Sequence, residues 1–494
     1  MSYSQKLTKA YAWNMFSKLI IRSLGLISTL VLVRLLDPDD FGLVAIGIMV
    51  IGLFRVLSDI GINRYLIMHS NPTDEDYSAA WSLNLITKTV LIVILVFCSP
   101  FIADFLDEPE VNFVIKFLCI LNLLSAFKNI GMIKLEKEVD FKSVSKIGIY
   151  GKILSVTVTI IAAVYFKNYL ALLAGNAVMV LSELALSYTV APFRPKFILK
   201  YPSGMMSYSS FLLIRNIFSF SRSQIDVLLA GKLGGSSVVG QFKVARDFSV
   251  MPLTELVTPV MRPFFATVSQ LKHDRDKMVE KVYQILFLSW SVIFLSTACF
   301  IILQSEFTRV VLGSKWIEVE SFIGLLAILM IPFITQAVFY MLYDLMGKTK
   351  HSIWNDIYGL SAIVLTFTLF EPTTLEEFAT LRIIVGVSSF FIIVTLARLF
   401  LPISLRKLAL VFCLPFISAV LTLLLVLYLK NEWPFEIPLL SLIIYGCVSF
   451  IIYTSCFLIG LRLLHGNAEV FILTLIPAVL YYKFKKLKIL STKT

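Results

Sequence analysis

Charged side chains set inside long apolar runs are the first feature of this chain that could do chemistry. Lys18, Arg22, Arg55, Arg215, Arg222 and Arg246 stand in such runs, with the acids Asp59, Asp226 and Asp247 near them and Glu183 and Asp344 elsewhere. A charge in hydrocarbon costs several kcal/mol unless it faces protein or water, so these positions read as functional. Lys18 and Arg22 are four residues apart and share a helix face, as do Arg55 and Asp59; Arg215, Arg222 and Asp226 follow at seven and then four. Lys18, Arg22 and Arg215 have no acid at helical spacing on their own helix, which favours a ligand-facing role. Arg55–Asp59, Arg222–Asp226 and Arg246–Asp247 also read as neutral pairs that fasten helices. The acids Asp59, Asp226, Asp247, Glu183 and Asp344 either carry a coupling ion or pair helices. At about 1.5 Å per residue, Arg22, Arg55 and Arg215 lie roughly 15–20 Å from the nearer ends of their runs. Lys88, Lys116, Lys128 and Lys152 read as anchors at the membrane surface. One charged stripe per helix predicts a shared polar cavity with surplus positive charge. That suits an anionic ligand, above all a phosphate, which pairs well with guanidinium forks.

The elements that must hold these charges follow from composition. The chain has 494 residues, 58% hydrophobic and 15% charged, with a mean hydropathy of +0.86. That excludes a soluble enzyme, a disordered tail and a disulfide-stapled scaffold, and leaves an all-α polytopic membrane protein. A spanning helix needs about 20 apolar residues, and about fourteen such runs lie between residues 10 and 460. The first two fall near 10–36 and 41–66, the seventh and eighth near 205–230 and 238–268. Lys and Arg concentrate in every second connector, which predicts both termini in the cytoplasm. The net charge of +12 is therefore a topology signal, and no nucleic-acid partner is expected. The basic, aromatic stretch YYKFKKLKIL reads as an interfacial tail over 466–494. The first apolar run carries Lys18 and Arg22 and is not followed by a cleavage site, so it reads as a retained helix and not a signal peptide. Six cysteines inside apolar runs read as small buried hydrophobes, and four histidines in polar connectors form no metal pattern. No metal or cofactor is expected, and no phosphate-binding loop of the ATPase type occurs.

Two internal echoes suggest duplication. VLVRLLDPDDFG ends at Gly42 and VLLAGKLGGSSVVG at Gly240; each has a Val-Leu run, a tight polar turn and a glycine opening the next helix. FKSVSKIGIYG (141–151) pairs with TKHSIWNDIYG (349–359), matching Lys142 with Lys350 and Ile149-Tyr150-Gly151 with Ile357-Tyr358-Gly359. The expected organisation is two six-helix lobes, 1–200 and 201–400, around a central cavity, with two further helices over 401–465.

The segments VLVRLLDPDDFGL, LSDIGI, LEKEVDFKSVSKIGIYG and LGSKW (312–316) carry a resemblance. Over roughly 1–465 the chain resembles the polysaccharide exporters, the Wzx-type flippases of the multidrug/oligosaccharidyl-lipid/polysaccharide exporter superfamily, and in particular colanic-acid-type and teichuronic-acid-type exporters. The resemblance implies a V of two lobes in the bacterial inner membrane. It implies alternating access that moves an undecaprenyl-pyrophosphate-linked oligosaccharide to the outer leaflet for O-antigen, capsule or exopolysaccharide synthesis. A polymerase and a chain-length regulator would be partners. The related lipid II flippase has a cationic cavity, with basic residues where Lys18, Arg22 and Arg55 lie here, and its last two helices form a lipid-tail groove. Two other readings stand beside this one. A cation-coupled drug antiporter would want a cavity rich in acids and aromatics. A polysaccharide polymerase or glycosyltransferase would want a large outer loop, and every connector expected on the outside is short.

Overall fold

The computed structural model describes residues 3–58, 61–62, 66–67, 71–138, 140–199 and 209–463. Asp59 and the expected tail over 466–494 lie outside the described residues. Among the described residues, twelve helices are long and apolar enough to cross a membrane. They match the expected spans apart from the seventh and eighth. Those two also form as helices, but so many charges interrupt them that apolarity alone does not mark them. This is a multi-pass, all-α membrane protein.

The chain divides into two compact units, 1–243 and 244–494. The first begins with α1 (Tyr3–Leu35), α2 (Pro38–Ser58), α3 (Asp74–Phe105) and α4 (Pro109–Ala126). A short α5 (Gly131–Lys137) leads to α6 (Phe141–Phe166) and α7 (Leu170–Val190). Local chemistry sets several of these ends. Thr73 and Asp76 form a reciprocal capping box at the start of α3, with Thr73 N donating to Asp76 Oδ2 at 2.8 Å and Asp76 N to Thr73 Oγ1 at 3.2 Å. Asp140 caps α6. The long α8 (Ser209–Ser249) breaks at Gly234–Gly235, where Gly235 has φ +70°, a left-handed conformation that a side chain resists.

That break permits a close approach. A Cβ at Gly42 would land on the carbonyl oxygen of Ser236, and a Cβ at Gly240 on that of Pro38. The contact is reciprocal: each glycine lies four residues after the residue whose carbonyl faces the other. Without Cβ atoms the two helix starts pack backbone to backbone, the way small residues join membrane helices. The first sequence echo is thus realised as a contact between its two copies. Around it, Ser236 Oγ donates to Asp39 Oδ1 at 3.1 Å and Ser236 N to Glu108 Oε1 at 2.6 Å.

The second unit holds a π-helical turn (Leu253–Val257), α9 (Thr258–Gln270) and α10 (Arg275–Ile302). Short turns then lead to α11 (Glu320–Ile328), α12 (Met330–Leu345), α13 (Lys350–Phe370), α14 (Leu375–Arg398), α15 (Leu405–Glu432) and α16 (Pro438–Leu463). Its core is aromatic: Trp290 is fully buried, and Phe412 stands edge-on to it at 5.2 Å and to Phe294 at 5.1 Å. One polar clamp ties α15 and α16 to the turn after α10. Lys430 Nζ lies 2.8 Å from Glu306 Oε2 and donates to the Ile302 carbonyl at 2.9 Å, and Ser441 Oγ donates to Glu306 Oε1 at 2.9 Å. Burial alone would raise the Glu306 carboxyl, but Lys430, its own backbone N–H and Ser441 hold it below its ordinary value.

The cysteines depart from expectation. Cys119 is buried, whereas Cys98, Cys413 and Cys447 are exposed on their helices. A thiol is apolar enough to face lipid as readily as core.

Candidate functional site: a cationic cavity in the first unit

A cavity of about 400 Å³ opens among α2, α3, α4 and α5. Arg55, Lys88 and Lys128 line it, with the polar Asn84, Ser125 and Asn129, the ring of Trp81 and the carboxyl of Glu136. Three cations against Glu136 in the lining, and Glu183 behind Lys128, leave a net positive charge that favours an anion.

Its walls are set locally. Arg55 sits in the last turn of α2 as described (Pro38–Ser58), about 5 Å from that end. The expected run to residue 66 was apolar for another reason: Ile62 and Leu66 pack into a core cluster with Tyr77, Ala80 and Ile130. Lys88 lies fourteen residues into α3, about 21 Å along it, and reaches Ser125 Oγ at 3.5 Å. Lys88 and Lys128 are thus cavity residues, a correction to their reading as surface anchors. Lys128 is held by Glu183 of α7 at 3.1 Å, which assigns Glu183 a helix-joining contact. The corner beside Lys128 is locked by Asn129, only 1% exposed. Asn129 N donates to Ser187 Oγ at 3.1 Å, Nδ2 donates to the carbonyls of Ala191 (3.3 Å) and Phe193 (2.7 Å), and Oδ1 accepts from Gly131 N at 2.9 Å. Asn129 therefore ties the corner, and the start of α5, to the end of α7 beside Lys128.

The other expected residues are placed as follows. Lys18 and Arg22 are exposed on α1. Lys152 of α6, half-buried, runs beside their stripe: a Cβ built at Gly25 would stand 3.8 Å from its Nζ. Lys152 therefore packs against α1 at Gly25, on the helix that carries Lys18 and Arg22. Arg215 is half-buried on α8. One face further along that helix buries both Arg222 (6% exposed) and Asp226 (1%). Arg246, half-buried, and Asp247, exposed, belong to the second unit, as does Asp344, exposed in the last turn of α12. Of the six expected cations, Arg55 lines the cavity described here; Lys18 and Arg22 line α1 beside Lys152. Sequence reasoning missed Lys88, Lys128, Asn129 and Glu136. Depth arithmetic would have found Lys88.

Residues 31–321, more than half of the chain, match the family described as "Polysaccharide biosynthesis protein". The chain belongs to this family. Among curated relatives, the lipopolysaccharide biosynthesis protein WzxC of Escherichia coli (strain K12) is 23% identical over 332 residues, covering 66% of this chain and 68% of its own length. The succinoglycan biosynthesis transport protein ExoT of Rhizobium meliloti (strain 1021) is 24% identical over 332 residues, 66% of each chain. Among solved structures, the lipid II flippase MurJ in an inward closed conformation has a TM-score of 0.70 at 13% identity, with 92% of this chain and 99% of that one covered. At that identity the likeness establishes the fold. In this member of the polysaccharide biosynthesis family, that fold carries the cationic cavity on α2 to α5.

Proposed function

We propose that the protein is a flippase. It moves an undecaprenyl-pyrophosphate-linked oligosaccharide repeat unit from the cytoplasmic to the outer leaflet of the bacterial cytoplasmic membrane, for surface polysaccharide synthesis, and makes or breaks no bond. Family membership, relatives named for polysaccharide biosynthesis and transport, and the fold of a lipid flippase support this. The observation that carries it is the cavity itself: Arg55, Lys88 and Lys128 on three separate segments converge on one polar space inside an apolar chain. A diphosphate diester brings two negative charges and several acceptor oxygens, which ammonium and guanidinium groups match. Asn84 and Ser125 offer hydrogen bonds to sugar hydroxyls, and the Trp81 ring an apolar face.

In this mechanism both termini are cytoplasmic, and the cavity takes the head from the inner leaflet while the prenyl chain stays in lipid. Lys18, Arg22 and Lys152, with Arg215, extend the cationic path, and Arg222 and Arg246 receive the head nearer the outside. Two lobes, 1–200 and 201–400, alternate access, with 401–465 appended, and the glycine contact at Gly42 and Gly240 parts as the outer side opens. An inside-negative potential helps, because expelling each negative charge gains about 2.3 kcal/mol per 100 mV. A polymerase and a chain-length regulator act on the delivered unit.

The test is flipping in reconstituted vesicles with a defined lipid-linked sugar. Protein-containing vesicles should expose the labelled head to an outside reagent faster than protein-free vesicles. Equal rates in both would overturn the reading. In cells, a deletion strain should accumulate unpolymerised repeat units on the cytoplasmic side. Incorporation of labelled sugar into polymer by the purified protein would point to an enzyme instead.

A further inference from the structure

Glu136 is the acid in a cavity whose other charged lining residues are the cations Arg55, Lys88 and Lys128, and transport of an anion does not call for it. It projects from the short α5 into the same space as Arg55, Lys88 and Lys128. The charged groups that face it are Arg55 from α2, Lys88 from α3 and Lys128 from the corner, with Glu183 of α7 on the far side of Lys128. On its own helix, Lys134 turns to Asp74 at 3.3 Å and Lys137 to the Leu66 carbonyl at 3.4 Å. Glu136 therefore shares the cavity with its cations and lies within electrostatic reach of Lys128.

Resting on the function proposed above, we propose that Glu136 is a resident counter-anion that the diphosphate head displaces, so that binding the substrate takes up a proton at this residue. In the empty cavity the carboxylate offsets the mutual repulsion of the three cations. When a diphosphate arrives, the two anions repel, and Glu136 becomes neutral by taking a proton from water. Burial already pushes its carboxyl upward from the ordinary value, with Lys128 pulling the other way, and a nearby diphosphate acts in the same direction as burial. The sign follows from linkage: binding raises the acid's pKa, so affinity is full below the empty-cavity value and weakens as pH rises through the bound value. Re-ionisation of Glu136 then helps eject the head. The residue lets a strongly cationic site release its ligand.

The experiment is isothermal titration of the purified full-length protein in detergent with a short-chain prenyl diphosphate sugar. This probe is a diester and lacks the second ionisation, near pH ~6, of a phosphate monoester. Titrations in buffers of different ionisation enthalpy, at several pH values, count the protons taken up. The wild type should take up a proton fraction on binding and lose affinity as pH rises. Glu136→Gln should take up none and lose the pH dependence. It should bind about tenfold tighter at the alkaline end, and flip more slowly because release is slowed. Glu136→Asp should restore proton uptake, which a merely structural role would not require. If Glu136→Gln keeps the wild-type uptake and pH profile, the counter-anion role falls while the flippase reading stands. If the wild type does not bind the probe at all, both fall.

Discussion

A cationic cavity of the first unit and an apolar pocket of the second differ in what walls them. The first, about 400 Å³, is walled by Arg55, Lys88 and Lys128. The second, about 550 Å³, lies among α10, α12, α14 and α15 and is walled by Phe294, Phe390, Phe391, Phe412 and Phe416. The difference follows from what holds each unit together. In a bilayer, lipid tails compete with apolar side chains, so helices associate by close packing and by polar contacts. The second unit uses interlocked aromatic rings and the Glu306–Lys430 clamp, and its crevices are greasy. The first uses backbone contact at glycines and an asparagine-locked corner, and polar groups remain to line one space beside an apolar pocket of about 670 Å³ walled by Phe54, Phe101, Phe105 and Phe220. We expect the charged head and the prenyl tail of one substrate to depend on different units.

The largest effect should come from breaking the second unit's clamp. Lys430→Met leaves Glu306 buried against Ser441 without its ammonium. Removing one partner of a buried pair costs about 3–5 kcal/mol, and water access here places the loss near the lower bound. Thermal unfolding should show an early transition, and tail-length dependence of flipping should weaken while head affinity holds. The pH dependence has a definite sign: the Glu306 carboxyl is held low, so the wild-type clamp stabilises above the unfolded value and is lost as pH falls through the folded one. An unchanged melting profile in Lys430→Met would show the clamp to be ornamental.

Next comes the corresponding break in the first unit. Gly240→Val drives a branched side chain onto the Pro38 carbonyl, where only backbone can yield. Overpacking of this kind costs about 1–3 kcal/mol. Transport should fall at least ~10-fold, and a cysteine placed at Ser236 should become more reactive to an outside thiol reagent because the contact stays parted. Normal transport with a buried Ser236→Cys would mean that this end can open without the glycines.

Smaller and more selective effects should sharpen the comparison. Lys88→Ala or Lys128→Ala removes one charge-assisted contact to the head, worth about 1.5–3 kcal/mol, or roughly ten- to hundredfold in affinity for a diphosphate-linked sugar. Phe412→Ala should spare that affinity and instead change how binding depends on prenyl length. If the lysine and phenylalanine variants respond alike to head and tail, the division between units is wrong.

Much of this organisation was legible in the sequence because membrane helices are. Twelve spans follow from apolar length alone, and the Gly42/Gly240 echo, read as a sign of duplication, falls on two segments that meet at those glycines. Apolarity has two sources here: Ile62 and Leu66 are apolar because they pack into a core cluster, and Arg55 sits in the last turn of α2 as described. Lys88 was available from depth, since an ammonium that far along α3 has no nearby surface. Asn129 and Glu136 were not available. Each is an ordinary polar residue of a connector, and its role exists because α3, α5 and α7 meet there, which no spacing in one segment encodes.

The smallest expected effect tests whether Lys152 and the α1 cations Lys18 and Arg22 serve the same head. Lys152 lies against α1 at Gly25, one turn from Arg22 and two from Lys18. Lys152→Met keeps most of its volume and removes one of three like charges. If these cations attract the head before the cavity seizes it, the variant should lower the initial flipping rate about two- to threefold and leave equilibrium affinity unchanged, because exposed charges act on approach more than on residence. The deficit should shrink as salt is raised, since the Debye length falls from about 10 Å at 0.1 M to about 3 Å at 1 M. A salt-independent loss would assign Lys152 to helix packing, and the first unit would then hold one site for the head, at Arg55, Lys88 and Lys128.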